Sequence, residues 1–198
     1  MTGALRQALF WFTSLLAGEV SRWIDFSSLR KKLHYDLVVY SDATGDGRCA
    51  AVACWPDGSV TFCRQHFPNN RRKRLAIRST QVVAYELWAA AMAILTFVLP
   101  YHRHATVFVD NQAALQCLVK AYSKVPDLNN ISGGVMHLLS LSSVGIYFEY
   151  VESAYNLADG PSRDDLRLLR RVHAREVPAR VPDWSIDSLT WLPDVRRT

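Results

Sequence analysis

Four acidic residues stand at positions from which they could act together on a phosphate ester. Asp42 comes late in an apolar, β-branched run, and Asp110 ends a second such run. Glu86 lies near the start of a long helical stretch, and Asp159 lies in a loop before a Gly-Pro pair. Two strand ends, a helix start and a loop can bring four acids to one edge of a sheet, where they repel one another unless divalent cations lie between them. The pattern therefore predicts phosphoryl chemistry on nucleic acid with two magnesium ions.

Each acid also has a simpler interpretation. Asp110 could cap a helix together with Asn111, and Asp42 could be ordinary polarity at a strand end. Asp159 could form a turn before proline. Glu86 could be a solvated helix residue, although its apolar neighbours three and four positions away place it at the border of an apolar helix face. The four acids in this element order favour one shared site over four separate explanations.

The composition and the hydrophobic pattern predict one mixed α/β domain. The chain has 198 residues, of which 49% are hydrophobic and 11% aromatic, enough to build a core and to exclude global disorder. Three meandering strands followed by two strands reached through helices give the order βββαβααβα. We therefore predict an α/β fold with a five-stranded mixed sheet flanked by helices on both faces. The predicted strands are 36–43, 49–55, 59–66, 105–109 and 145–151, and the predicted helices are 79–99, 111–122, 131–142 and 162–175.

Three segments are predicted along the chain. Residues 1–32 form an N-terminal helix and linker, residues 33–176 form the compact domain, and residues 177–198 form an extended C-terminal tail. The N-terminal helix is predicted because apolar side chains repeat at helical spacing between Leu5 and Leu16. A signal peptide is the alternative for this stretch, since it follows a basic residue.

The remaining composition bears on location and partners. No apolar stretch is expected to reach membrane-spanning length, so no membrane is predicted among the partners. The four cysteines form no CxxC pair and have no histidines at zinc spacing. They are expected to be reduced core or edge residues, which fits an intracellular location in the cytoplasm or nucleus.

Over residues 35–175 the chain resembles the ribonuclease H domain, particularly that of retroelement reverse transcriptases. Four acidic motifs occur in the family's order, and the segment 158–163 is most similar to that of DIRS-like tyrosine-recombinase retrotransposons. The motifs are Ser41-Asp42-Ala43, Glu86-Leu87 with the alanines that follow, Val109-Asp110-Asn111 and Asn156-Leu157-Ala158-Asp159.

The resemblance implies an endonuclease that hydrolyses the RNA strand of RNA–DNA hybrids and leaves 5′-phosphate products. It implies two Mg²⁺ ions, with Mn²⁺ as a substitute, as cofactors. Asp42 would ligate both ions, Glu86 and Asp110 one of them, and Asp159 the other. The implied partners are the hybrid and the polymerase domain of a reverse transcriptase. A non-catalytic ribonuclease H-like module with a structural or nucleic-acid-binding role stays open as the alternative.

The basic residues are clustered, although the net charge is only +5. One group stands directly before the helix that carries Glu86, and one arginine follows the last acid. Clusters of this kind near such a site favour contacts with backbone phosphates, while a solvated loop is the alternative. The predicted nucleic-acid-binding residues are Arg71, Arg72, Lys73, Arg74, Arg78 and Arg163.

Overall fold

The computed structural model describes residues 36–140, 142 and 144–182, which belong to one compact unit. The predicted N-terminal helix over 1–32 lies outside the described residues, and so does the predicted tail beyond residue 182. The proposed boundary near residue 33 therefore stays a prediction. Residues 177–182 run along the compact unit, where the backbone N–H of Val177 donates to the carbonyl of Phe62 at 2.9 Å.

The sheet opens with an antiparallel meander, as predicted. Strands β1 (Leu37–Ala43), β2 (Arg48–Cys54) and β3 (Val60–His66) follow one another across two tight turns. Gly47 and Gly58 adopt φ values of 92° and 83° in these turns, a region that favours glycine. Strand β4 (Ala105–Val109) then pairs in parallel with β1, and β5 (Ile146–Tyr150) pairs in parallel with β4.

The sheet has six strands, so the predicted count of five is wrong. The sixth strand, β6 (Arg175–Glu176), pairs with β3 in parallel, and the order across the sheet is β5-β4-β1-β2-β3-β6. Two residues are too few to show a period of two in the sequence, and only the tertiary pairing with β3 defines this strand. The predicted α/β fold with a mixed sheet is otherwise confirmed, since three meandering strands are followed by two parallel strands reached through helices.

The helices differ from prediction at three places, the first of which is the unpredicted short helix α1 (Asn69–Arg72). The predicted helix over 131–142 begins five residues earlier, as α4 (Pro126–Ser140), because proline suits the first helical position. Of the predicted final helix over 162–175, only Arg167–Arg171 forms a helix of its own, because Asp164 and His173 on either side of it have φ values of 63° and 53° that no α-helix accepts. The helices are α1 (Asn69–Arg72), α2 (Val82–Ala93), α3 (Gln112–Lys120), α4 (Pro126–Ser140), α5 (Asp159–Ser162) and α6 (Arg167–Arg171).

Helix α2 forms the centre of the core on one face of the sheet. Every residue from Ala84 to Ala93 is buried, and the many alanines let the helix approach β1 and β2 closely. The Sγ of Cys49 on β2 lies 3.8 Å from the carbonyl oxygen of Tyr85 on α2. The face of the sheet that carries Cys49, Ala51 and Cys63 is therefore the face that α2 covers.

The opposite face is covered by the last two helices. Tyr40, Val52 and Phe62 occupy paired positions on three neighbouring strands. Val52 and Phe62 pack with Ala158, just before α5, and with Leu169 of α6. Helices thus cover both faces of the sheet, as predicted.

One helical stretch contradicts the expectation about membrane-spanning length. Helix α2 continues through a π-helical segment, Ile94–Val98, and a 3-10 turn, Leu99–Tyr101. The stretch Val82–Tyr101 has 20 residues and is long and apolar enough to cross a membrane. However, 78% of its apolar window is buried inside the domain, which is typical of a core helix in a soluble protein.

We expect Trp88→Ala to destabilise the domain strongly. Trp88 is fully buried on α2, with its ring centroid 5.0 Å from that of Phe67. Removing the indole leaves a cavity, so the free energy of unfolding should fall by about 3–5 kcal/mol in a urea titration. The control is Val119→Ala, because this side chain is 60% exposed and its loss should change stability by less than about 0.5 kcal/mol. Equal effects of the two substitutions would contradict the packing described here.

Candidate metal centre

Three of the four acids come from elements that meet at one edge of the sheet. Strands β1 and β4 are parallel, so their carboxyl ends lie together, and Ser41 is paired with Val109. Asp42 and Asp110 each follow these paired residues by one position. Glu86 reaches the same edge from the first half of α2, which contacts β1 and β2.

The carboxylates of Asp42, Glu86 and Asp110 converge closely enough to share a cation. One oxygen from each lies within 4.8 Å of the other two. Asp42 and Glu86 are each only 4% exposed, and Asp42 Oδ2 and Glu86 Oε2 are buried without a hydrogen-bond partner. Buried polar atoms are rarely left in this state unless something else binds them. A set made only of carboxylate oxygens suits Mg²⁺, Ca²⁺ or Mn²⁺, so the residues fit a divalent cation.

Burial also makes these carboxyl groups weak acids. It raises the pKa of Asp42 to about 6, and the charge of Asp110 adds to this, while the neighbouring Ser162 hydroxyl opposes it. Burial likewise raises the pKa of Glu86 to about 9, with the charges of Asp42 and Asp110 as further causes. Without a cation, the fold therefore holds a proton on Glu86 at neutral pH and makes Asp42 easier to protonate than an exposed aspartate.

Asp159 occupies a different place from the other three acids. It begins helix α5, and its charge acts on both Asp42 and Glu86, but its oxygens lie outside the group of three. Instead, Asp159 Oδ1 accepts a hydrogen bond from Arg163 Nε at 2.8 Å. The structure thus brings three predicted acids together and sets the fourth beside them, paired with an arginine.

The loop that carries Asp159 is held by a residue whose role the sequence did not predict. Asn156 is 5% exposed and donates from Nδ2 to the carbonyl of Ser41 at 3.0 Å, directly before Asp42. Its Oδ1 accepts from the backbone N–H of Ala158 at 3.1 Å. Asn156 stands in the fourth motif, but only the fold shows that it links β1 to this loop.

A glycine fixes the path of the chain after Asp159. The backbone N–H of Asp165 donates to the carbonyl of Gly160 at 2.9 Å. A Cβ atom on Gly160 would lie 2.8 Å from the carbonyl oxygen of Asp165, too close for any other residue to fit without a shift. The Gly-Pro pair after the fourth acid therefore serves a tight backbone approach.

Two arginines of the predicted basic group pack on the core helix. The guanidinium of Arg71 lies 4.9 Å from the ring centroid of Trp88, and that of Arg72 lies 5.8 Å from the ring centroid of Tyr85. Such cation–π contacts stabilise the fold as well as placing the charge. Contact between these two arginines and a phosphate stays a prediction.

The other basic residues of the predicted group lie in different surroundings. Arg78 forms an ion pair with Asp127, which is 5% exposed and also accepts from the backbone N–H of Ala76 at 3.1 Å. This pair ties the segment before α2 to helix α4. The side chains of Lys73 and Arg74 are exposed. Lys73 is therefore the member of the group best suited to meet an external phosphate.

No family model and no curated protein match the chain. Among solved structures, it is similar to the N-terminal RNase H domain of a Mycobacterium tuberculosis protein, solved as a fusion with maltose-binding protein. The identity is 22% and the TM-score 0.47, over 70% of this chain and 98% of that one. It is also similar to RNase H1 from the halophilic archaeon Halobacterium salinarum, at 19% identity and a TM-score of 0.43, over 66% of this chain and 95% of that one.

We expect the metal-free domain to lose stability as the pH rises. The pKa values of Asp42 and Glu86 are raised from 3.8 and 4.5 to about 6 and about 9, so the folded state binds protons more tightly than the unfolded chain. The stabilisation from protonation is fully present below the unfolded pKa values and is lost as the pH rises through the folded ones, which is between about 4 and about 6 for Asp42 and between about 4.5 and about 9 for Glu86. In EDTA, urea titrations should give a free energy of unfolding that is lower at about pH 8 than at about pH 5 by up to roughly 5 kcal/mol, most of it from Glu86.

Two controls connect this loss to the acids. Glu86→Gln should reduce the difference between the two pH values, because the amide does not ionise. Mg²⁺ should recover the stability of the unsubstituted protein at the higher pH by binding only the folded state. An unchanged pH dependence in Glu86→Gln would show that the burial of this carboxyl group is not the cause.

Proposed function

We propose that this domain is an endonuclease that hydrolyses the RNA strand of RNA–DNA hybrids with divalent cations. One observation supports the proposal above all others: three carboxylates from separate elements converge within 4.8 Å, and two of them keep buried oxygens without partners. A merely structural cluster of acids would repel itself and would gain nothing from this arrangement.

Each acid has a distinct part in the proposed reaction. Asp42, Glu86 and Asp110 would hold a cation at the buried end of the site, and Asp159 would add a carboxylate at the more open side, where its side chain is 32% exposed. When bound, the Mg²⁺ ions supply charge stabilisation at the phosphate and activation of the attacking water. Because of their raised pKa values, Asp42 and Glu86 would release protons when a cation binds.

The substrate and the context of the domain form the finer part of the proposal. Contacts to 2′-hydroxyl groups would distinguish RNA from DNA. Basic side chains such as Lys73 would bind the backbone phosphates. The motif that ends at Arg163 favours a retroelement reverse transcriptase of the DIRS-like kind, with a polymerase domain as partner. An intracellular location, in the cytoplasm or nucleus, agrees with the free thiols of all four cysteines.

The ion pair between Asp159 and Arg163 favours a second candidate function. Its carboxylate is paired with Arg163 rather than grouped with the other acids, as it could be in a ribonuclease H-like module that only binds nucleic acid. Cleavage distinguishes the two functions, since a binding module would retain labelled hybrid without cutting it in Mg²⁺.

We expect Asp110→Asn to abolish most cleavage and to preserve the fold. The amide keeps the shape of the side chain but removes a charge that would hold the cation. Cleavage of a labelled RNA–DNA hybrid in Mg²⁺ should fall by more than about 100-fold, beyond the usual effect of residues that only support metal ligands. EDTA should stop cleavage by the unsubstituted protein.

The control for this variant is Asp57→Asn. Asp57 lies in an exposed turn, where its Oδ1 accepts from the backbone N–H of Ser59, a bond that asparagine can also make. This variant should cleave normally. Cleavage that continues in EDTA, or at the normal rate in Asp110→Asn, would exclude the proposed metal chemistry.

We expect Lys73→Ala to weaken binding of the hybrid mainly at low salt. Loss of one phosphate contact reduces the dependence of binding on salt by about one unit of slope. Binding is measured by fluorescence anisotropy over a range of salt concentrations in EDTA. Lys120→Ala, at the end of α3 far from Asp110, removes the same charge and should leave the slope unchanged. Equal slopes in all three proteins would assign Lys73 to solvent.

A further inference from the structure

Arg163 combines a backbone held by its neighbours with an exposed side chain. The residue before it, Ser162, is 1% exposed, and its hydroxyl donates to the carbonyl of Asp159 at 2.9 Å. The residue after it, Asp164, receives hydrogen bonds from Arg48 at 2.7 Å and Arg64 at 2.9 Å. The side chain of Arg163 itself is 64% exposed. Its guanidinium can therefore change partners without movement of the loop.

The guanidinium of Arg163 lies beside the acids that we propose bind a divalent cation. Its Nε donates to Asp159 Oδ1 at 2.8 Å, and the charges of Asp42 and Asp110 also act on it. Arg163 thus supplies positive charge to Asp159, Asp42 and Asp110 from an exposed position. That exposed side must admit any phosphate that approaches the acids.

We propose that Arg163 is a positioning residue that holds the Asp159 carboxylate in the absence of a divalent cation and moves to a backbone phosphate when a cation takes its place. This inference rests on the proposed function. Under this exchange, a cation bound at Asp159 frees Arg163 to bind phosphate, and a phosphate bound at Arg163 frees Asp159 to bind a cation. Binding of either ligand therefore strengthens binding of the other.

The strength of the pair suits such an exchange. An exposed arginine–carboxylate pair changes an equilibrium constant by only about 1.5- to 5-fold. That is enough to order the two side chains, yet a divalent cation or a phosphate with its full charge can displace either partner. Arginine is also well suited to the second partner, because its planar fork matches phosphate oxygens.

The first experiment measures Mg²⁺ binding to the full chain by calorimetry, without nucleic acid. Arg163→Ala should bind Mg²⁺ about 1.5- to 5-fold more tightly than the unsubstituted protein, because the competitor for Asp159 is gone. Arg163→Lys should lie between them, since lysine can still pair with the carboxylate. Equal or weaker binding in Arg163→Ala would overturn the proposal.

The matched control is Arg167→Ala. Arg167 forms an exposed ion pair with Asp165 at 2.6 Å, so this variant loses the same charge and the same kind of contact. It should bind Mg²⁺ like the unsubstituted protein. If both variants bind more tightly by the same factor, the net charge of the protein is the cause and Arg163 holds no special place.

The second experiment measures the coupling between cation and nucleic acid. Ca²⁺ is titrated with and without a short RNA–DNA hybrid, and gels verify that the hybrid stays intact. The hybrid should strengthen Ca²⁺ binding to the unsubstituted protein more than to Arg163→Ala, in which no exchange can occur. Equal strengthening in both proteins would overturn the proposal.

Failure of this inference is distinct from failure of the proposed function. If the unsubstituted protein does not cut the hybrid in Mg²⁺, the nuclease proposal fails, while the calorimetry still judges the competition at Asp159. If the protein cuts the hybrid but Arg163→Ala binds Mg²⁺ no more tightly, the nuclease stands and the exchange at Arg163 is excluded.

Discussion

Two carboxyl groups, on Asp42 and Glu86, are buried side by side where strand β1 meets helix α2. Taking them out of water raises the pKa of both groups, and the charge of Asp42 raises the pKa of Glu86 further. The fold must therefore be stable enough elsewhere to hold them. Helix α2 does so because its alanines allow close contact with the sheet, and because Tyr85 and Trp88 fill the core beside Phe67. A divalent cation would turn this unfavourable pair into a binding site.

The site has a rigid part and an adjustable part. Asp42, Glu86 and Asp110 come from a strand, a buried helix and the end of a second strand, so their spacing follows from the core itself. Asp159 comes from a loop fixed by polar contacts, and its own side chain is more exposed. A division of this kind is expected where chemistry needs fixed ligands together with an opening for a large polymer.

The distribution of positive charge shows why a count of basic residues is a weak guide to nucleic-acid binding. Arg71 and Arg72 lie over aromatic rings of the core helix, and Arg78 is paired with a buried aspartate. These contacts stabilise the segment between β3 and α2, which leads directly to Glu86. The same residues that predict a phosphate-binding loop therefore also build the support for one of the acids.

The sequence by itself determined the order of the first five strands, the mixed sheet and the placement of Asp42 and Asp110 at strand ends, because these follow from local periodicity and turn residues such as those at Gly47 and Gly58. Only the tertiary structure decided the sixth strand, the break at Asp164 and the pairing of Asp159 with Arg163 beside a group of three acids. Asp164, at the break, and Glu176, in the sixth strand, accept hydrogen bonds from Arg48 and Arg64, which lie more than 100 positions earlier in the chain. Such contacts leave no periodic pattern in the chain, whereas a strand or a buried helix must repeat its apolar positions to pack at all.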